Sequence, residues 1–304
     1  MVSVVPALRH LRSVYPRARI TFAAEFPAAE LLQRCPYVDR IIDLEHPSEL
    51  LLEPFDVAVL MESPDREAPA ARALLDQMHA EARVAYRGNA QEPAHVIHPR
   101  VSERLGEAAR MLHLAWLLGG EHPDPTLAMW PSPADRSAAS GLVHGVSAPI
   151  ALIHVGSSSV YWSAATVVRL VAVVRASGMH PMLVGSAIDH ERAQEIMSQT
   201  PALVTDLTDQ TSPAMLIALI ERAALVIGPD SGPVALATAL GISSVVASEG
   251  DQADGMTSVP SNVRRVGMMT DGEVGFEPAL EWLLAEVGVT ADRAVRSWNS
   301  SVLP

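Results

Sequence analysis

Residues Leu225–Gly241 read LVIGPDSGPVALATALG, and this stretch decides the fold class. It opens with the apolar run Leu225–Ile227, which is typical of a strand buried in a parallel sheet. A short turn follows, and the small apolar residues of Pro233–Leu240 then predict a helix. Proline suits the first position of a helix, and glycine suits the position just after its end, which Gly241 occupies. Strand, tight turn and helix in this order form the repeating unit of an α/β fold.

The turn inside this stretch is a candidate ligand site. In open parallel sheets, ligands bind beyond the carboxyl ends of the strands. Asp230, Ser231 and Gly232 stand at such an end and at the start of a helix, where free backbone N–H groups and the helix dipole favour anions. The alternative is that Asp230 or Ser231 only caps the helix. We expect this turn to bind an anionic ligand.

A second candidate loop follows the predicted strand Ile150–Val155. It combines Gly156, which lets the backbone approach a ligand closely, with the hydroxyl groups of the three serines that come next. We expect Gly156, Ser157 and Ser158 to contact phosphate oxygens. From composition alone, a surface turn without a ligand explains this loop equally well.

Apolar runs alternate with helical patterns along most of the chain, which predicts two α/β domains with doubly wound parallel sheets. The run Phe55–Met61 is expected to be a strand buried in the first of them. The proline-rich stretch Glu121–Pro149 is expected to hold the linker. We therefore predict an N-terminal domain over residues 1–135, a C-terminal domain over 148–275, and a last helix and tail over 276–304 that could pack back on the first domain.

Composition excludes several classes of function. All 22 positively charged residues are arginine, which excludes lysine Schiff-base chemistry and a Walker-type phosphate lysine. The net charge of −13 argues against a nucleic-acid partner, and the single cysteine, Cys35, excludes a disulfide framework or a thiolate metal cluster within one chain. No signal-peptide pattern or membrane-spanning run is visible, so we expect a cytoplasmic protein with at most peripheral membrane contact.

Five segments, in the right order, resemble motifs of glycosyltransferase family 9, the lipopolysaccharide heptosyltransferase family. Pro6–Thr21 resembles P-A-L-R-x-L-x-x-x-Y-P-x-A-x-I, and Pro36–Ile42 resembles N-P-Y-V-D-x-V-I. Val184–Glu191 looks like the turn L-G-G-x-x-E, and Leu207–Ser212 looks like L-T-G-x-T-S. Gly228–Gly241 resembles G-N-D-T-G-P-M-H-L-A-A-A-L-G. Each segment alone is a weak signal, but five in this order are specific.

The resemblance implies a fold of the GT-B type, with two Rossmann-like domains facing a cleft and a nucleotide-sugar donor held chiefly by the C-terminal one. Members of the family transfer a sugar with inversion at the anomeric carbon, and no metal or other cofactor is implied. By this resemblance, the donor diphosphate and sugar contact two sets of positions: Gly156, Ser157 and Ser158, and Asp230, Ser231 and Gly232.

The chain also departs from the family pattern. The family's first strand and the Gly-Asp loop that supplies its catalytic base would precede Met1; we expect a sequence that starts inside the domain rather than a true loss. Val160 stands where the family has the lysine of K-x-W-P, and Ala235 stands where it has the histidine of D-x-G-x-x-H. Arg264 or Arg265 is a candidate to replace the lysine charge. No catalytic residue is assigned.

The leading hypothesis is an inverting, metal-independent glycosyltransferase. It would move a sugar, with heptose as the family example, from a nucleotide-diphosphate donor to a saccharide or glycoside such as a lipopolysaccharide core. The alternative is a divergent, non-catalytic paralogue that binds a nucleotide or a partner protein. A generic two-domain Rossmann binding protein is the third interpretation.

Overall fold

The chain is built from two units, Met1–Trp130 and Pro131–Pro304. The computed structural model describes residues 2–25, 28–61, 69–86, 96–97, 107–156, 162–200, 204–229, 231–249 and 263–268. Strands pair in parallel in both units, and helices connect many of them, as an α/β class requires.

The first unit contains four α-helices and five strands within the described residues. Its strands form two separate parallel sheets, β1–β2 and β3–β4–β5, instead of one continuous sheet in the part of the chain that is described. Helix α1 packs against helix α4. In chain order the elements are α1 (Val5–Val14), β1 (Thr21–Ala24), β2 (Arg40–Asp43), α2 (Ser48–Leu52), β3 (Pro54–Val59), α3 (Pro69–Gln77), β4 (His79–Val84), β5 (Val96–Ile97) and α4 (Glu107–Trp116).

Strand β3 is less buried than its apolar sequence predicts. Asp56 is exposed and the Val57 side chain is 40% exposed, whereas Ala58 is buried. The reason is topological: among the described residues β3 pairs with β4 alone, so it lies at the edge of its sheet. The expectation of a strand buried on both faces is therefore wrong for this segment.

The second unit carries one six-stranded, fully parallel sheet in the order β11-β10-β9-β6-β7-β8. Apolar side chains of β6, β7 and β9 pack against helices α6 and α7 and form its core. The elements are α5 (Pro133–Leu142), β6 (Ile150–His154), α6 (Ala164–Ala176), β7 (His180–Val184), α7 (His190–Gln199), β8 (Thr205–Asp206), α8 (Pro213–Ile220), β9 (Leu225–Pro229), α9 (Gly232–Ala239), β10 (Ser244–Glu249) and β11 (Val263–Met268).

This strand order has a defined topological switch point. Counted from β6 as the first strand, the order is 3-2-1-4-5-6, the arrangement of the Rossmann fold. The chain winds outward through β7 and β8 on one side of β6, and then returns to place β9 on the other side. The connections on the two sides of β6 therefore run in opposite directions between β6 and β9. In open parallel sheets, ligands bind at the carboxyl ends of the strands that flank such a point.

The predicted linker needs a correction. Within Glu121–Pro149, residues Pro133–Leu142 form the 10-residue helix α5, which packs on α8. Ser132 caps this helix: its side chain accepts a hydrogen bond from the backbone N–H of Asp135, and the Asp135 carboxylate accepts one from the backbone N–H of Ser132. This capping box follows the serine-to-acid spacing that marks a helix start, a signal that the count of prolines obscured.

Candidate functional site

The candidate site lies at the switch point of the six-stranded sheet. Strand β6 ends at His154, two residues before Gly156. Strand β9 ends at Pro229, two residues before Ser231, which is the N-cap of α9. The two strands are hydrogen-bonded neighbours, with Ile153 opposite Ile227. Both predicted loops therefore begin at the carboxyl ends of neighbouring strands.

A hydrogen bond joins the end of β6 to the start of α9 across the switch point. Ser231 Oγ lies 3.0 Å from His154 Nδ1, and the two residues are 77 positions apart in the chain. Gly228 makes room for the histidine, because a Cβ at this position would come within 3.0 Å of His154 Cβ and 3.1 Å of Val234 Cγ2. The sheet thus brings Ser231 to the end of β6.

Ser231 occupies the N-cap position of α9, yet its side chain makes no capping hydrogen bond. The matching serines of three other helices in the same unit behave differently: Ser132, Ser163 and Ser212 each accept a hydrogen bond from a first-turn N–H group. The alternative that Ser231 merely caps its helix is therefore not what the structure shows. The first turn of α9 retains N–H groups that the helix itself cannot satisfy.

Asp189 forms the third side of the site. It ends a 3-10 turn, Ala187–Asp189, that follows β7. Its Oδ2 accepts hydrogen bonds from the backbone N–H of Ser186 at 2.7 Å and from Ser186 Oγ at 2.8 Å. A Cβ at Gly156 would overlap the Asp189 carboxyl group, and a Cβ at Gly185 would come within 3.0 Å of it. The two glycines therefore give Asp189 its place between β6 and β7.

The electrostatic state of His154 follows from its burial. Desolvation penalises the charged imidazolium and lowers the pKa of His154 from 6.5 to about 4. The negative charge of Asp189 acts in the opposite direction with a smaller effect. His154 is therefore neutral at pH 7 and carries one ring N–H.

The structure places some of the predicted donor-binding residues and not others. Gly156 is buried after β6, Ser231 is half-buried before α9, and Gly232 is exposed as the first residue of that helix. Ser157, Ser158 and Asp230 lie outside the described residues.

Of the positions that depart from the family pattern, some lie within the described residues and others lie outside them. Ala235 is exposed on α9, whereas Val160 and the side chains of Arg264 and Arg265 lie outside the described residues. The predicted compensation by an arginine of β11 therefore stays a prediction.

Sequence reasoning missed His154 and Asp189 as members of this site. His154 begins the segment His154–Ser159 that carries the predicted loop, and its place at the end of a buried strand was the available signal. Asp189 lies in the segment Val184–Glu191 that resembles a family turn. Its contact with Gly156 depends on two strands lying side by side.

One group of side chains in the described part of the first unit has the spacing of a metal site. The ligand atoms of Asp43, Glu45 and His46 all lie within 4.8 Å of one another after β2. Glu45 and His46 are exposed. Exposed carboxylates and histidines of this kind are common without an ion, so we assign no metal here.

Comparison with protein families supports the three motifs that lie in the second unit. Residues 122–247 match the model of glycosyltransferase family 9 (heptosyltransferase). The resemblance to family 9 is confirmed. The matched region contains β6 to β9, and with them His154, Ser231 and most of β10. A comparison with curated proteins gives no match.

Solved structures show the same fold. A glycosyl transferase family 9 protein from Veillonella parvula DSM 2008 is 16% identical, with a TM-score of 0.76 over 98% of this chain and 92% of that one. ADP-heptose lipopolysaccharide heptosyltransferase II of E. coli is 20% identical, with a TM-score of 0.72 over 94% and 95%. E. coli heptosyltransferase WaaC, solved with ADP-2-deoxy-2-fluoro heptose, is 15% identical, with a TM-score of 0.65 over 95% and 96%.

The predicted fold class is therefore confirmed: the chain has the α/β, GT-B-type fold of family 9 heptosyltransferases. At these identities the solved structures establish the fold alone. Of the helices described, none combines the length and the apolar character that crossing a membrane requires.

Proposed function

We propose that this family 9 protein is an inverting glycosyltransferase that uses a nucleotide-diphosphate sugar and needs no metal. The observation that carries the proposal lies in the family-matched region: the end of β6 is hydrogen-bonded to the start of α9 at the switch point of a 3-2-1-4-5-6 parallel sheet, where such sheets bind nucleotides. Two of the structural relatives are named for ADP-heptose or were solved with an analogue of it, so ADP-heptose is the first donor to test.

The diphosphate of the donor would lie at the start of α9. Pro233 has no N–H group, so the N–H groups of Gly232 and Val234 are the first-turn donors that the helix leaves for an anion. The Ser231 hydroxyl stands beside them and is not used for capping. These groups, together with the positive end of the helix dipole, would stabilise the charge that develops on the departing nucleoside diphosphate.

Transfer with inversion requires the acceptor hydroxyl to attack the anomeric carbon from the side opposite the diphosphate. A general base must take the proton of that hydroxyl during the attack. We assign this base to no residue. A saccharide or glycoside such as a lipopolysaccharide core is the acceptor class to test.

Isothermal titration against ADP-, GDP- and UDP-sugars tests the donor class, with ADP-heptose as the first ligand. We expect Ser231→Ala to weaken donor binding about 10-fold, the loss of one hydrogen bond to a charged group. Ser212→Ala is the matched control, because it removes a serine from the N-cap of another helix in the same unit. It should leave donor affinity unchanged.

Folded protein that binds none of these sugar nucleotides would refute the proposed donor class. Adding EDTA during a transfer assay tests the metal independence: unchanged product formation supports it, and loss of product contradicts it. Configuration at the anomeric carbon of the product tests inversion.

Binding without transfer is the second candidate function. Ala235 and Val160 stand where the family pattern has a histidine and a lysine, and Ala235 is exposed on α9. Donor binding with no product from any lipopolysaccharide-type acceptor would favour this alternative. Sugar transfer by this protein would exclude it.

A further inference from the structure

His154 and Ser231 form a linked pair in the described part of the second unit. The imidazole is partly buried at the end of β6, and its Nδ1 lies 3.0 Å from Ser231 Oγ. Gly228 on the neighbouring strand leaves the space that the ring needs, since a Cβ there would contact His154 Cβ at 3.0 Å. The histidine is thus held in one place by the sheet, and the serine hydroxyl is held by the histidine.

The direction of this hydrogen bond decides what Ser231 can do. If Nδ1 lacks a proton, it accepts a hydrogen bond from the Ser231 hydroxyl, and that O–H is no longer available to a ligand. If Nδ1 carries the proton, Nδ1–H donates to Oγ, and the Ser231 O–H can point elsewhere. A neutral imidazole exists in either of these two forms.

A bound phosphate group would favour the second form. A phosphate oxygen is a strong acceptor and carries negative charge, so it gains from a hydroxyl donor and is repelled by hydroxyl lone pairs. The same hydroxyl then accepts from Nδ1–H and donates to the ligand, and the two bonds polarise each other in the same direction.

We propose that His154 is a positioning residue that donates its Nδ1–H to Ser231 and so holds the Ser231 hydroxyl as a donor to the diphosphate of a sugar nucleotide. This inference rests on the proposed function, because it specifies how the same site binds the diphosphate of its ligand. His154 acts through Ser231 and does not itself touch the ligand.

Two substitutions of His154 separate this role from simple packing. In His154→Asn the side-chain amide stands close to where Nδ1 stood and can still donate an N–H. In His154→Gln the amide reaches instead toward the position of Nε2. We expect His154→Asn to bind ADP, or whichever of ADP, GDP and UDP the wild type binds, within about 3-fold of wild type, a loss smaller than one hydrogen bond.

His154→Gln and Ser231→Ala should each weaken binding of that nucleoside diphosphate about 10-fold, the equivalent of one charge-assisted hydrogen bond. The double variant should bind no more weakly than Ser231→Ala alone, because both changes remove the same contact. Affinity for the matching nucleoside, which has no phosphate, should be unchanged in all variants. A loss of packing alone would weaken both ligands.

Nuclear magnetic resonance of the His154 ring nitrogens provides a second measurement, which also serves if His154→Gln does not fold. We expect Nδ1 to carry the proton in the nucleotide complex. An unprotonated Nδ1 in the complex overturns the proposal, as does wild-type affinity in His154→Gln or an equal loss for nucleoside and nucleoside diphosphate. Wild-type protein that binds no nucleoside diphosphate refutes the proposed function instead.

Discussion

Gly156→Ala is expected to destabilise the second unit through a contact with Asp189. An alanine Cβ at this position would overlap the carboxyl group of Asp189. Gly156 lies outside the left-handed region of backbone conformation, so the backbone itself accepts alanine. We therefore expect the main cost to come from displacing the carboxylate, which supplies the three atoms nearest to the added Cβ.

The magnitude follows from what holds that carboxylate. Asp189 is 7% exposed and accepts hydrogen bonds from the Ser186 N–H and from Ser186 Oγ. Moving it breaks one or both of these bonds, and hydrogen bonds to charged groups contribute about 1.5–3 kcal/mol each. We expect Gly156→Ala to lower the free energy of unfolding by about 3 kcal/mol, at the upper end for single substitutions.

A double-mutant cycle isolates the contact. Asp189→Ala alone should cost about 2 kcal/mol, because it removes the same hydrogen bonds. In the Asp189→Ala background no carboxylate remains to be displaced. Gly156→Ala should then be neutral, or should stabilise the fold by about 0.5 kcal/mol because alanine lowers the conformational entropy of the unfolded chain. Gly141→Ala is the matched control, since a Cβ at Gly141 meets nothing within 4 Å.

Urea unfolding, read through hydrogen exchange of the β6 and β7 amides, reports on the second unit by itself. The predicted coupling between Gly156→Ala and Asp189→Ala is about 3 kcal/mol. Additive effects of the two substitutions would show that Gly156 does not make room for Asp189.

Three further predictions test other contacts. His154 has a pKa of about 4 when folded and 6.5 when unfolded, so its contribution to stability is complete above pH 6.5 and is lost as the pH falls toward 4. Relative to His154→Asn, the wild type should lose about 3 kcal/mol of unfolding free energy between pH 7 and pH 4, and parallel pH profiles would contradict this. Gly228→Ala should cost about 1–2 kcal/mol and weaken nucleoside diphosphate binding, because it pushes against His154; unchanged affinity by titration calorimetry would contradict it. Tyr86→Phe should lower the stability of the first unit by about 1 kcal/mol, measured by hydrogen exchange in β4, because it removes the hydrogen bond that Tyr86 donates to the Arg110 carbonyl; unchanged exchange would contradict it.

Local patterns in the sequence predicted much of the second unit. The predicted strands at Ile150–Val155 and Leu225–Ile227 and the helix at Pro233–Leu240 agree with β6, β9 and α9 to within one or two residues. These elements follow from short apolar runs, an early proline and a terminal glycine, all of which act within a few residues.

The sequence-based predictions were wrong in two places: one local helix signal was missed, and the burial of one strand depended on which strands lie beside it. Helix α5 was missed because the capping box at Ser132 stands among prolines and was outweighed by them. Strand β3 has the sequence of an interior strand, yet Val57 is 40% exposed because β3 lies at an edge. Whether a strand is central or peripheral depends on which other strands pair with it, and that information is not local.

Some features of the candidate site follow from local sequence, and others depend on the order of the strands. The sequence by itself determined that two glycine- and serine-containing loops follow buried strands, and that one of them starts a helix whose first N–H groups suit an anion. Only the tertiary structure decided that the strands before these loops are neighbours, that His154 is hydrogen-bonded to Ser231, and that Asp189 packs on Gly156. The physical reason is that capping and periodicity depend on residues a few positions apart. Strand order depends instead on how crossover helices pack on both faces of a sheet, which brings residues 77 positions apart into contact.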